Sequence, residues 1–185
     1  MLADSGTGFV GSGGVIMKTI IIGLGNPILG DDGVGWKVVE EIGRQLPADV
    51  SVGIECLSVG GISLMEHLIG YDRAIIIDAF IADAEDLGSI LIHKLEELPD
   101  YSAFHIASAH DTSLQNAIRL GKEMGAQLPD EVIVIGIAIQ RIHDFGEELS
   151  PPVKETVLPA THIALNYLKE YAACRKEMSE VESEL

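Results

Sequence analysis

The chain has 185 residues, 47% of them hydrophobic and 22% charged, and 29 acidic against 12 basic side chains give a formal net charge of -17. That length fits one domain of ordinary size, and the apolar content is enough for a substantial core, which excludes wholesale disorder. So acidic a surface repels phosphate backbones, so no nucleic-acid ligand is expected, and without a run of about 18 apolar residues no membrane span is expected.

The charge favours a basic partner surface or a metal cation instead. Two cysteines, Cys56 and Cys174, lie far apart and form no CxxC pair. Neither a thiolate zinc site nor a disulfide framework is suggested, and a reducing cytoplasm is the simpler setting. Residues 1–16 (MLADSGTGFVGSGGVI) are rich in Gly and Ser and lack the basic start of a secretory signal. They are read as a flexible extension, or as an artefact of start-site choice. One α/β domain over 17–173 is expected to follow, then an acidic tail over 174–185.

Lys18 to Gly23 is a short apolar, β-branched run, as expected of a strand buried on both faces. A glycine-rich loop follows to Gly35. Val34, Val38, Ile42 and Leu46 then recur every four residues, which predicts an amphipathic helix ended by Pro47. Val50 to Leu57 reads as a second strand and Ile62 to Leu68 as a helix. Arg73 to Ala79 reads as a third strand, and Ser89 to His93 as a fourth at an edge. Asp111 to Met124 is predicted helical, with Leu114, Ile118 and Gly121 on one face. Glu131 to Ile139 (EVIVIGIAI) is the strongest strand pattern. Val153 to Ala173 is the predicted closing helix, with Pro151-Pro152 at its start and Pro159 as a possible kink. Strands and helices alternate throughout. The expected fold is a three-layer α/β sandwich: a mostly parallel, twisted central sheet of about five strands with helices on both faces.

Ligands of open α/β sheets sit outside the carboxyl ends of the strands. Asp31 and Asp32 lie in the loop leaving the first strand, and Asp78 ends the third. A carboxylate finishing a buried strand is costly unless paired, hydrogen-bonded or bound to a cation. The bland alternative is a cap on backbone N–H groups, and both readings stand for Asp78. One of Asp31 and Asp32 can simply cap the following helix. His110, in SAHDTS, is by itself most simply a loop histidine. Together with the acids it completes a set of oxygen and nitrogen donors suited to a borderline divalent metal. Asp111 is then the expected helix cap. His67, His93, His105, His143 and His162 are read as structural or solvated, although His143 follows the last strand and lies within reach of the site.

The loop GLGNPILGDDGVG has neither GxGxxG spacing nor a GK[ST] ending, and a phosphate there would meet two aspartates. Its glycines fit tight turns and close backbone approach better. No GxSxG elbow occurs, and no serine has an obvious base beside it. Ile28, Leu29 and the loop around Phe145 are either substrate contacts or ordinary packing.

GLGNPILGDDGVG, followed by WKVVEEI, resembles the opening signature of the [NiFe]-hydrogenase maturation endopeptidases. The likeness continues in order through SVGGISLMEHL, AIIIDAF, SAHDTSLQNAI, IVIGIAI and LSPPV, covering about Met17 to Tyr171. The resemblance implies an α/β enzyme that cuts a short C-terminal extension from a hydrogenase large-subunit precursor once nickel has been inserted. It implies Asp32, Asp78 and His110 as the catalytic and metal-contacting residues, with Asp31 supporting the loop. Asp32 stands where the family has Glu or Asp, so its reach is one methylene shorter than a Glu would give. Nickel is implied as cargo held by precursor cysteines, sensed by this chain rather than bound stably in the free enzyme. Two competitors remain. One is a nickel-binding or hydrogenase-docking chaperone without cleavage. The other is a peptidyl-tRNA hydrolase-like enzyme, whose opening also reads GLGNP, but ILGDDGVGWK lacks the histidine segment such an enzyme needs.

Overall fold

Thr19–Leu24 is buried at all six positions and forms strand β1. In a computed structural model of the protein, which describes residues 17–47, 50–98, 113–140 and 145–183 (side chains as far as Tyr171), β1 lies second in a five-stranded sheet. The other strands are β2 (Gly53–Leu57), β3 (Arg73–Ile81), β4 (Ile90–Lys94) and β5 (Glu131–Ile139), in the order β2-β1-β3-β5-β4. β1 pairs in parallel with β2 and β3, and β3 pairs in parallel with β5. β4 runs antiparallel to β5 at the edge, as its modest apolar run predicts. The mostly parallel α/β sandwich expected from sequence is what forms.

The continuous isoleucine and valine runs divide by alternation between two cores. Ile21, Ile75, Ile77, Ile133, Ile135 and Ile137 face one side, where α1 (Val34–Gln45) and α4 (Pro151–Ser183) cover them. Ile20, Ile22, Ala74, Ile76, Val132 and Val134 face the other, beneath α2 (Gly61–His67) and α3 (Leu114–Glu123). Each fully buried Ile or Val contributes about 1.5–3 kcal/mol of transfer free energy, so the central strands hold the layers together.

Element ends depart from the sequence reading in three places, the first being β3, which runs on to Ile81 so that Asp78 lies inside the strand rather than at its end. Ser113, not Asp111, caps α3: its Oγ accepts from the Asn116 N–H at 3.3 Å, the reach of a capping hydroxyl to the third helical amide. α4 runs from Pro151 to Ser183, so helical backbone continues past Ala173 into the expected tail. Pro151 and Pro152 fit its first turn, where amides lack helical partners anyway; Pro159 lies within it. The expected extension over 1–16, together with His105, His110, Asp111 and His143, lies outside the described residues.

The chain leaves β1 to one side for β2, then crosses back to the other side for β3. The strand order therefore reverses between β1 and β3. The crevice outside the carboxyl ends of those two strands is where this architecture places its ligands.

Candidate active site at the carboxyl ends of β1 and β3

β1 ends at Leu24, and the chain turns at Gly25 with φ +128°, a conformation that side chains rarely adopt. A Cβ there would stand 1.8 Å from the backbone oxygen of Asp32, so the loop closes on itself only because residue 25 is glycine. Leu29 N–H donates to the Asn26 carbonyl at 3.0 Å, and Asp32 N–H donates to that of Leu29 at 3.1 Å. Gly30–Gly33 forms a single 3-10 turn. Within it the Asp32 carboxylate folds back, and Oδ2 accepts the Asn26 N–H at 2.6 Å.

Neither aspartate caps α1. Its cap residue is Gly33, with no side-chain hydrogen bond. Asp31 reaches the start of α4 instead: Oδ1 accepts the Ser150 N–H at 2.6 Å and Oδ2 accepts the Ser150 hydroxyl at 2.7 Å. Asp31 thus ties the loop to α4, while the Asp32 carboxylate holds the Asn26 amide within the loop.

Two further contacts bring this loop to β3. A Cβ on Gly35 would lie 2.3 Å from the Leu24 carbonyl oxygen and 2.6 Å from that of Ile77. The first turn of α1 therefore rests against the end of β1 and the middle of β3, and the 3-10 turn packs on β3. The next residue after Ile77 is Asp78, 2% exposed. It pairs in register with Gly136 of β5, on the sheet face shared by Ile76 and Val134. Just past β2, Ser58 Oγ donates to the Gly25 carbonyl at 2.6 Å, and Trp36 Nε1 donates to that of Leu57 at the end of β2 at 3.1 Å, which fixes the other flank.

The structure thus brings Asp32 and Asp78 to one end of the sheet from separate elements. His110 lies outside the described residues, and among those described no three metal-ligating side chains cluster. Beside Asp78 opens a small, mostly apolar pocket of about 50 Å³, lined among the described residues by Phe80, Leu91, His93, Leu98, Val134 and Gly136. Sequence reading missed it. His93 was read as a strand-end residue, but it lies inside β4 and lines this pocket. The available signal was Gly136, which interrupts an otherwise unbroken strand pattern.

Ile28 and Phe145 are exposed at the rim, at 49% and 83%. They are held near each other because Gly146 N–H donates to the Ile28 carbonyl at 2.9 Å and Gly30 N–H to that of Gly146 at 2.6 Å. Leu29 forms an isolated bridge with Gly146. Cys56 is a free thiol, half-buried against the α1–α4 core, and burial pushes its pKa up.

The chain is an open α/β sheet with a buried and a loop-borne carboxylate near its switch point. Residues 36–167 match the hydrogenase maturation protease family. Among relatives, a hydrogenase expression/formation protein HoxM from Azotobacter vinelandii is 30% identical over 82% of this chain and 72% of its own length. A hydrogenase 2 maturation protease from Escherichia coli K12 is 25% identical over 83% of this chain and 92% of its own. Among solved structures, the [NiFe] hydrogenase maturation protease HybD from Thermococcus kodakarensis superposes with a TM-score of 0.56 at 29% identity, covering 82% of this chain and 99% of that one. The Escherichia coli maturating endopeptidase HybD shares the fold with a TM-score of 0.68 over 84% of this chain and 94% of its own. The chain belongs to the hydrogenase maturation protease family and is a peptidase of hydrogenase maturation. The family sets the peptidyl-tRNA hydrolase reading aside and favours catalysis over mere docking. Among the described residues, no helix is long and apolar enough to cross a membrane.

Proposed function

We propose that this peptidase removes the C-terminal extension of a [NiFe]-hydrogenase large-subunit precursor after nickel insertion, with Asp32, Asp78 and His110 contacting nickel that the precursor carries. The observation that carries the reading is Asp78: a 2% exposed carboxylate inside the buried part of β3, with the 3-10 turn that carries Asp32 packed against the same strand. Two carboxylates and an imidazole are a donor set for a borderline divalent cation. Their role is recognition and positioning: nickel on the precursor signals readiness. Nickel held by Asp32, Asp78 and His110 would in addition supply polarisation of the scissile carbonyl or activation of water, an acidic group then moving the proton. The partner is the large-subunit precursor, and the setting is the cytoplasm, which suits a free Cys56 thiol.

Incubation with nickel-loaded precursor should shorten it at the C terminus, and metal-free precursor should keep its mass. Unchanged mass of the loaded precursor would sink the peptidase reading. Asp78→Asn and His110→Ala should each abolish shortening while leaving circular dichroism and Tm near wild type. Full activity in both would remove these residues from the site.

A further inference from the structure

We propose that the carboxyl end of β2 is a clamp that sets the orientation of the Asp32 carboxylate, with Ser58 as the positioning residue. The inference rests on the reading of Asp32 as a nickel-contacting residue and adds to it what holds that side chain in place.

The connection runs through a single peptide unit. Ser58 Oγ donates to the Gly25 carbonyl at 2.6 Å. The N–H at the other end of that unit belongs to Asn26, and it donates to Asp32 Oδ2, also at 2.6 Å. A peptide unit is planar and resists twisting, so its carbonyl and its N–H turn together. A hydroxyl that fixes the carbonyl therefore fixes the direction in which the N–H points. The two bonds also reinforce each other: donation to the carbonyl polarises the amide and strengthens its bond to the carboxylate.

The same glycine is held from its other side as well. Gly25 N–H donates to the Leu57 carbonyl at 3.2 Å, so the last residue of β2 and the one after it grip both peptide units of Gly25. Trp36 Nε1 donates to that same Leu57 carbonyl at 3.1 Å, which ties the clamp to the first turn of α1. Gly25 is pressed against the Asp32 backbone at φ +128° and has no side chain to anchor it, so its orientation has to come from its peptide units. Ser58 is an exposed residue, so removing its hydroxyl opens no cavity in the core. Groups that orient a metal-contacting side chain typically matter by about 10–100-fold in metal affinity or activity.

The test measures kcat and KM separately on nickel-loaded large-subunit precursor, and follows the Asn26 amide of the free enzyme in proton–nitrogen NMR spectra. Ser58→Ala should lower kcat by about tenfold with KM and Tm near wild type. It should also move the Asn26 amide proton upfield, as the bond to Asp32 weakens. Ser58→Thr keeps the hydroxyl and should restore both readouts. A wild-type kcat or an unmoved Asn26 amide in Ser58→Ala overturns the clamp, and so does a failure of Ser58→Thr to restore them; the peptidase reading survives each of these results. Full activity of Asp32→Ala removes Asp32 from the site and the clamp with it. No cleavage of the loaded precursor by wild type overturns the peptidase reading and the clamp together.

Discussion

Asp31 and Ser150 are 119 positions apart in sequence, yet both Asp31 carboxylate oxygens are occupied by Ser150, one by its amide and one by its hydroxyl. The Asp32 loop is therefore bolted to the amino end of α4. A hydrogen bond to a charged acceptor is worth about 1.5–3 kcal/mol. Ser150→Ala removes the hydroxyl bond and keeps the amide bond, so a fall in stability of about 1–2 kcal/mol is expected. Processing should fall by severalfold, through kcat, because Asp32 loses position rather than chemistry. Asp31→Ala removes both bonds and should cost more on both measures. Wild-type kcat in Ser150→Ala and Asp31→Ala would show that the bolt does not position the site.

Gly25 and Gly35 are expected to be intolerant of alanine. At 1.8 Å and 2.3 Å from backbone oxygens, their added Cβ atoms meet groups that cannot rotate away. Strained overpacking costs on the order of 1–3 kcal/mol or more. Urea unfolding of Gly35→Ala should show a lower midpoint, and Gly25→Ala should in addition lose processing. Gly43, with nothing within 4 Å of its Cβ position, is the control and should be stabilised or unchanged by alanine.

Ile28 and Phe145 form the apolar rim above the Asp32 loop. Large exposed apolar side chains held together mark contact surfaces. Phe145→Ser should raise KM for the nickel-loaded precursor with little change in kcat, since it touches the bound protein and not the reacting bond. A change in kcat alone would place Phe145 elsewhere in the cycle.

At the opposite end of the sheet, the Arg73 guanidinium lies 4.2 Å from the centre of the Tyr171 ring, and Glu131 is 3.8 Å from Arg73. Burial, and then the Glu131 charge, push the Tyr171 phenol well above its ordinary value of 10.0. The unfolded phenol ionises near that ordinary value while the folded one stays neutral. The stability tied to the neutral phenol is thus full below pH 10 and is lost as pH rises toward the folded value. The Tm of wild type relative to Tyr171→Phe should hold steady to about pH 9.5 and then decline. A constant gap up to pH 11 would contradict the burial of the phenol.

The fold was legible because its signals are local. The buried strands are unbroken runs of β-branched residues, and α1 shows apolar residues at four-residue spacing, so burial and periodicity agreed. Asp78 was legible as a candidate because a carboxylate closing Ile75-Ile76-Ile77 contradicts its own surroundings. The division of labour between Asp31 and Asp32 was not legible from spacing. It depends on Ser150, which only the folded chain brings near. The Phe80 and Leu91 walls were hidden for the same reason: they come from strands whose adjacency to β5 is set by topology, not by sequence order. Ser113 was overlooked as a cap because Asp111, two residues earlier, has equal intrinsic preference for that role.

β4 has a further consequence for how the enzyme comes into being. It precedes β5 in the chain, but among the described residues β5 is its sheet partner, and β5 lies between it and β3. During synthesis β1, β2 and β3 can assemble in order as they emerge. The segment Ile90–Lys94 must wait about forty residues for the strand it pairs with. The wall carrying Leu91 accordingly joins the sheet only once β5 has emerged. A ribosome-bound chain that stops before Glu131 would hold Asp32 and Asp78 and still lack the strand that closes the pocket beside Asp78.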